Sequence, residues 1–342
     1  MAYTTINKST DHFFTKLWSG TNSGETISGI PFQPDFNWTK QRTGTQDHVV
    51  VDAVRGVQKT FFTNAEDAEY TLSDGITAWT SDGFTHGTNN RYCEASNTFA
   101  SWSWKANGAG SSNSDGSITS TVSANTTSGF SIVKFTGTGA NATIGHGLGV
   151  APKMILVKTT GTGSWIVYHK GMGATKNLLL DATNAEATVS TMWNDTAPTS
   201  SVFSVGSNGA TNGNGATMMA YCFADVSGYS KMGSYTGNGN ADGTFIYTGF
   251  KPNFVMTKKV SGTADWMIRD NKRDFNGQWR DLYANNTNAE TSPDSNTQSE
   301  LLSNGFKLRM SHSNHNESGG TYIYIAFGQT MVGSNNVPCT AR

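Results

Sequence analysis

Thr63-Asn64-Ala65-Glu66, Thr183-Asn184-Ala185-Glu186 and Thr287-Asn288-Ala289-Glu290 are one four-residue word written three times along a chain of 342 residues. Further landmarks stand around each occurrence in the same order. Upstream lies an aromatic, a hydroxyl residue and a glycine: Trp18-Ser19-Gly20, Phe135-Thr136-Gly137 and Tyr235-Thr236-Gly237. A proline follows 16, 17 and 17 residues after the aromatic, at Pro34, Pro152 and Pro252, and leads an apolar stretch ending in Lys40, Lys158 and Lys258. Downstream, the last aromatic of an alternating segment (Trp104, Phe223, Phe327) falls 38, 37 and 37 residues after the glutamate. Proline and word are separated by 29, 31 and 35 residues. Self-similarity at a period near 100 residues is too long for a solenoid repeat and fits an independent domain. The reading is three globular modules in tandem: 1–107, 129–226 and 227–331, with a Ser/Gly/Asn-rich spacer at 108–128 and a tail at 332–342.

Within a module the pattern is all-β. Strands are expected near Phe13–Trp18, Phe130–Phe135 and Tyr229–Tyr235, each followed by a strand that the proline starts, because proline lacks the N–H an interior ladder position needs. Val49–Val51, Trp165–Tyr168 and Trp266–Ile268 read as third strands, and Phe61-Phe62, Leu178–Leu180 and Leu282-Tyr283 as fourth. Fifth strands begin at Gly83, Val202 and Gly305. In the closing segment, Phe99-Ala100-Ser101-Trp102-Ser103-Trp104 alternates with serine and implies one wet face. Its counterparts, through Tyr221 and Ile325, are apolar on both sides and imply a doubly buried strand. Short strands with glycine and asparagine turns predict three tandem β-sandwiches, jelly-roll or lectin-like. The word itself has the form of a Thr-x-x-Glu capping box, which predicts a helical turn after the fourth strand.

Composition narrows function. Charged residues make up 14%, against 38 glycines, and the formal net charge is −1. There is no basic footprint for nucleic acid, no apolar run long enough to insert in a membrane, and no basic-then-apolar secretory leader. Cys93, Cys222 and Cys339 fit neither a disulfide framework nor a zinc site, and imply synthesis in a reducing cytoplasm.

The chemistry-bearing candidates are few. Asp52 and Arg55 recur as Asp270 and Arg273 after the third strand, where the second copy has His169 and Lys170; such a loop could contact a ligand, or its charges could pair with each other at the surface. Asn238–Gly243 has the opening of a calcium loop but Gly249 in place of the twelfth-position glutamate. His312 and His315 are the one pair at metal-ligand spacing, without counterparts in the other copies. The expected sets of metals, cofactors and catalytic residues are empty, and the expected role is not enzymatic. Trp79, Trp193 and Trp279, among nine tryptophans, fall outside the repeated landmarks and are candidate sugar-stacking rings, against ordinary core filling. Exposed variable loops are expected at Thr85–Ser96 and Ser207–Gly215.

Gly29-Ile30-Pro31-Phe32-Gln33-Pro34-Asp35-Phe36-Asn37-Trp38, Gly249–Phe254, the spacer Ser112–Thr127 with Gly129–Val133, Asp270–Asp274 and Gly319–Phe327 together resemble a recurrent module of phage proteins labelled tail fibre or virion structural protein, frequently of marine phages. The resemblance covers almost the whole chain and brings no catalytic residues. It implies a virion component, made in the host cytoplasm and displayed on the particle. As a tail fibre or surface appendage it would bind host-surface glycan or another receptor, contact other virion proteins and form a homo-oligomer, as fibres do in trimers. The alternatives are a capsid decoration or tail-assembly protein and, third, a polysaccharide depolymerase.

Overall fold

The computed structural model describes residues 4–273, 280–291 and 298–329. The chain is all-β, and each repeat folds into a large antiparallel sheet faced by a small one. In every large sheet the closing strand (Thr98–Trp104, Thr217–Phe223, Thr321–Gln329) lies between the first strand (Phe13–Ser19, Phe130–Thr136, Ser230–Thr236) and the proline strand (Phe36–Gln41, Met154–Thr159, Lys251–Lys259). Third strands (Val49–Asp52, Ile166–His169, Met267–Asp270) and fourth strands (Lys59–Phe62, Lys176–Leu179, Leu282–Tyr283) follow in order. Pro34 and Pro152 precede their strands; Pro252 lies inside one, at a shift in register between Pro252 and Phe254, a site where a missing donor is tolerated. The small sheets are built on Glu25–Ile27, Ala142–Gly145 and Phe245–Tyr247, three strands that the sequence pattern did not single out.

The repeated glycines have a steric reason. A Cβ at Gly20, Gly137 or Gly237 would meet a carbonyl oxygen of the loop before the closing strand (Glu94, Gly213, Glu317) at 2.2, 2.3 and 2.4 Å. Only glycine lets the first strand turn so close to that loop.

The modules are not independent. Each large sheet packs one face on its own small sheet and the other on a core shared by all three repeats. The terminal aromatics of the closing strands form a triangle, with ring centroids 6.1 Å apart for Trp104 and Phe223, 6.0 Å for Phe223 and Phe327, and 5.5 Å for Trp104 and Phe327. Below it lie Trp102, Tyr221 and Ile325, then Ala100, Met219 and Ile323, all buried. The proline strands add Phe36, Met154 and Phe254, then Trp38, Leu156 and Met256. The result is a pseudo-threefold prism of sheets about an apolar axis.

This corrects three expectations. A module buries one core between its own two sheets, but the other face of its large sheet is covered only by the other modules. The serine face of the first closing strand is not wet: Ser101 and Ser103 are fully buried, and Asn37 Nδ2 donates to Ser103 Oγ at 3.0 Å. Nor is the 108–128 segment a spacer. Ser120–Asn125 pairs along the outer edge of Phe130–Thr136, Ser111–Asn113 pairs beyond it, and Ile118 and Val122 join the second module's core. The tail at 332–342 lies outside the described residues. The two loops expected to be exposed carry short helices, Asn90–Cys93 and Gly209–Asn212, capped by Asn89 and Asn208, with Tyr92, Cys93, Thr211 and Asn212 buried.

Candidate functional site

The repeated charges form seams between modules. Asp52 and Arg55 are both buried, their side chains meet at 2.5 Å, and Arg55 Nη2 donates to the Val50 carbonyl. From the second module, the Tyr221 hydroxyl donates to Asp52 Oδ2 at 2.8 Å. Asp270 and Arg273 repeat this arrangement at 2.6 Å, and from the first module Trp102 Nε1 donates to Asp270 Oδ2 at 3.0 Å. At the remaining seam the third module offers Ile325, which has no donor, and the second module has His169 where the others have aspartate. His169 Nδ1 accepts from the Gly171 amide at 3.0 Å, so Nε2 carries the proton and donates to the Tyr324 carbonyl at 3.2 Å. Burial pushes the His169 imidazole down to about 4, which keeps it neutral. The second copy's departure from the charged pattern is thus explained: a buried carboxylate without a cross-seam donor would be costly. The four charged residues face one another inside the molecule and form no exposed ligand loop.

The lysines that end the proline strands are wholly buried and clasp the neighbouring module. Lys40 Nζ donates to the carbonyl of Thr287 (3.1 Å), Lys158 Nζ to those of Glu66 and Asp67 (3.2 and 2.8 Å), and Lys258 Nζ to that of Thr183 (3.1 Å). Burial lowers each of the three ammonium groups to about 8. Alongside, the amides of Glu290, Glu69 and Glu186 donate to the carbonyls of Arg42, Thr160 and Val260. Trp165 and Trp266 send their indole N–H groups to the carbonyls of Phe62 and Leu179 at 2.8 and 2.7 Å. His48 stands at the indole's position in the first module, where its Nδ1 accepts from Trp38 Nε1 at 3.0 Å and burial holds its pKa well below the ordinary value.

These contacts correct the register of the repeat. Thr183 and Thr287 correspond to Glu66, and Glu186 and Glu290 correspond to Glu69. The strand pairs agree, since Thr60↔Tyr70 and Lys59↔Thr71 match Asn177↔Ala187 and Lys176↔Thr188. The first module's true copy of the word is Glu66-Asp67-Ala68-Glu69, beginning 32 residues after the proline against 31 and 35 in the others. Thr63-Asn64-Ala65-Glu66 is an offset of three. Nor is the word a capping box, because all three copies lack helix and run between modules. Thr63 Oγ1 donates to the Ala284 carbonyl, and Glu66 Oε1 accepts from Ser164.

Of the candidate tryptophans, Trp193 is 1% exposed in the second module's core and Trp79 packs, partly buried, against that of the first. Trp279 lies outside the described residues. In the loop at Asn238–Gly243 the oxygens are committed: Asn238 Oδ1 and Asn240 Oδ1 accept from the amides of Asn240 and Asp242, and Asp242 pairs with Lys307 at 2.6 Å. His312 and His315 stack with centroids 6.2 Å apart. Among the described residues, no group of three or more His, Cys, Asp or Glu side chains could hold a metal ion, and no helix is long and apolar enough to cross a membrane.

Among the described residues, Tyr70 is exposed by itself, and a pair of exposed aromatics that the sequence pattern did not flag stands on the third module. Phe245 and Tyr247, on the small sheet of the third module, are 42% and 55% exposed, while Ile246 between them is buried. Two residues apart on a strand, they share the outward face about 7 Å from one another. Lys231 Nζ donates to the Tyr247 carbonyl at 2.9 Å and lies 5.2 Å from its ring centroid. Lys307 is paired opposite Phe245, and Arg309 joins Asp242 at 3.5 Å and Glu300 at 2.6 Å. Strand pairing makes Ile27 and Ile144 the counterparts of Ile246. Their flanking residues are Thr26 and Ser28, and Thr143 and Gly145, so a comparison of the three copies at this strand was the available signal.

No curated protein and no solved structure matches the chain. A family model does, over residues 8–330, which takes in all three repeats as one unit. The chain therefore belongs to the family described as Domain of unknown function (DUF7483).

Proposed function

We propose that this protein is a phage virion structural protein, a tail fibre or other surface appendage, that binds host-surface glycan through the Phe245–Tyr247 face. The observation that carries the reading is the exposure of two aromatic rings in one module where its two counterparts have only small residues, Thr26 and Ser28 in one and Thr143 and Gly145 in the other. Leaving two large rings in water has no value for folding, whereas flat apolar rings beside cationic groups suit the CH face and hydroxyls of a sugar. The prism beneath holds that face on a rigid sheet, which lowers the entropy lost on binding. The resemblance of the sequence to virion proteins supplies the setting.

The test is a microarray of bacterial surface polysaccharides probed with labelled protein and with the double variant Phe245→Ser/Tyr247→Ser. Saturable binding by the parent and its loss in an equally stable variant is the expected result. Equal binding by both would move the site elsewhere, and a blank array for the folded parent would reject glycan recognition.

A further inference from the structure

The three first strands occupy equivalent positions at the outside of the three large sheets, yet their outer edges are treated differently. In the second module the edge of Phe130–Thr136 is covered by the chain's own Ser120–Asn125, with Ser123 opposite Ile132 and Thr121 opposite Lys134. In the third module, side chains cap it on either side of Ser234, whose main-chain groups have no partner on that edge among the described residues. Asp225 Oδ1 accepts from the Met232 amide at 2.8 Å, and Thr244 Oγ1 donates to the Thr236 carbonyl at 2.9 Å.

In the first module, among the described residues, the edge of Phe13–Ser19 has neither device. The Lys105 amide donates to the His12 carbonyl at 2.9 Å, which sets the alternation of the ladder. Phe14, Lys16 and Trp18 therefore turn their main-chain groups toward the closing strand, while Thr15 and Leu17 turn theirs outward. Neither Thr15 nor Leu17 has a main-chain partner on that side among the described residues. Beside the start of this edge, at Thr10, Phe13, Phe14 and Thr15, lies a groove lined on its other side by Asn253, Asn271 and Lys272. Those side chains offer amide and ammonium donors to the carbonyls of an incoming strand. Proteins usually cover or blunt such an edge, because its unpaired N–H and C=O groups are a template for another chain.

We infer that the outer edge of Phe13–Ser19 is a strand-accepting site. It takes up an extended, uncharged, Ser/Thr/Asn-rich segment of a partner chain, in antiparallel register, by the pairing the molecule already uses at its second module. Main-chain hydrogen bonds to Thr15 and Leu17 supply the attachment, as in other cases of strand addition. The chemistry of the partner follows from the internal example, Ser120-Thr121-Val122-Ser123-Ala124-Asn125: small polar residues with a central β-branched one. By register, a strand of that type would set Ser123 opposite Thr15 and Thr121 opposite Leu17.

The probe is a fluorescent peptide with the sequence of residues 117–127, titrated into the full-length protein. A second peptide carries N-methyl groups at its Thr121 and Ser123 positions, which removes the two donors aimed at the edge and leaves every side chain in place. The expected result is saturable binding by the first peptide, at least tenfold weaker binding by the second, and slowed amide exchange at Thr15 and Leu17 in the complex. Leu17→Pro, checked for an unchanged melting temperature, should weaken the first peptide by a similar factor. No saturable binding up to millimolar peptide, or equal binding by both peptides, would overturn the proposal, as would protection confined to amides away from Phe13–Ser19.

Discussion

The Tyr221 hydroxyl lies 2.8 Å from Asp52 Oδ2, across the seam between the second and first modules, with both side chains buried. The bond joins residues 169 positions apart. Together with Trp102 on Asp270 and His169 on Tyr324 it closes a ring of contacts in which every module grips the next. The repeats therefore form one body, and its stability resides in seams that no single repeat possesses.

Tyr221→Phe should cost about 1–3 kcal/mol, since it leaves a buried carboxylate short of one donor. Asp52→Ala should cost more, about 3–5 kcal/mol, because it also strands the Arg55 guanidinium in the interior. Urea unfolding of both variants measures the pair. Equal costs, or costs below 0.5 kcal/mol for both, would contradict a buried seam.

The register of the repeat can be tested through its glutamates. Glu290, 4% exposed in its side chain, binds Arg42 at 2.8 Å and Arg273 at 3.0 Å, and its equivalent Glu69 binds Arg55 at 3.4 Å. Glu66 accepts one exposed hydroxyl. Alanine at Glu290 should cost about 3 kcal/mol, at Glu69 less, and at Glu66 within about 0.5 kcal/mol. A large effect at Glu66 with none at Glu69 would restore the identity-based alignment.

Acid should loosen the prism at the His169 seam. His169 is neutral when folded, with its pKa lowered to about 4 by burial, and returns to its ordinary 6.5 on unfolding. Between these values the unfolded chain binds the extra proton, so stability is complete above pH 6.5 and falls as pH drops toward 4. The loss is about 3 kcal/mol at the lower end. His169→Gln, which keeps an acceptor and a donor, should flatten the slope of melting temperature against pH over that window. A slope identical to the parent's would remove His169 as its source.

Calorimetry should record a single unfolding transition for the intact chain. A chain ending at Val226 should fail to fold cooperatively, since Trp104 and Phe223 would lose Phe327 and the axial core would open to water. Three separate transitions, or a well-folded truncation, would return the molecule to beads on a string.

Surface and core aromatics should part company. Phe245→Ser/Tyr247→Ser should change stability by less than about 0.5 kcal/mol, whereas Trp193→Ala should cost about 3–5 kcal/mol. Paired melting and glycan-binding measurements separate the two roles.

Much of this was written along the chain. Alternation, glycine-rich turns and the triple recurrence of landmarks determined an all-β protein of three related units, and located most strands of the large sheets to within a residue or two. Local sequence suffices there because strand periodicity and turn chemistry act over a few residues. The apolar character of both faces at Met219–Phe223 and Tyr322–Phe327 already announced strands covered on both sides. What covered them was decided only in three dimensions. Ser101 and Ser103 look wet by composition and are buried because the first module's own small-sheet side covers them, on the face opposite the shared core. Asp52 and Arg55 look like a surface pair, yet Tyr221 seals them from 169 positions away. A four-letter identity aligned Glu66 with Glu186, and the cross-seam bonds moved the match to Glu69. Burial at a seam depends on which surfaces meet, a property of pairs of distant segments that no local pattern carries. The exposed rings of Phe245 and Tyr247 became visible for the same reason, once strand pairing set them against Thr26 and Ser28, and Thr143 and Gly145, in the other two modules.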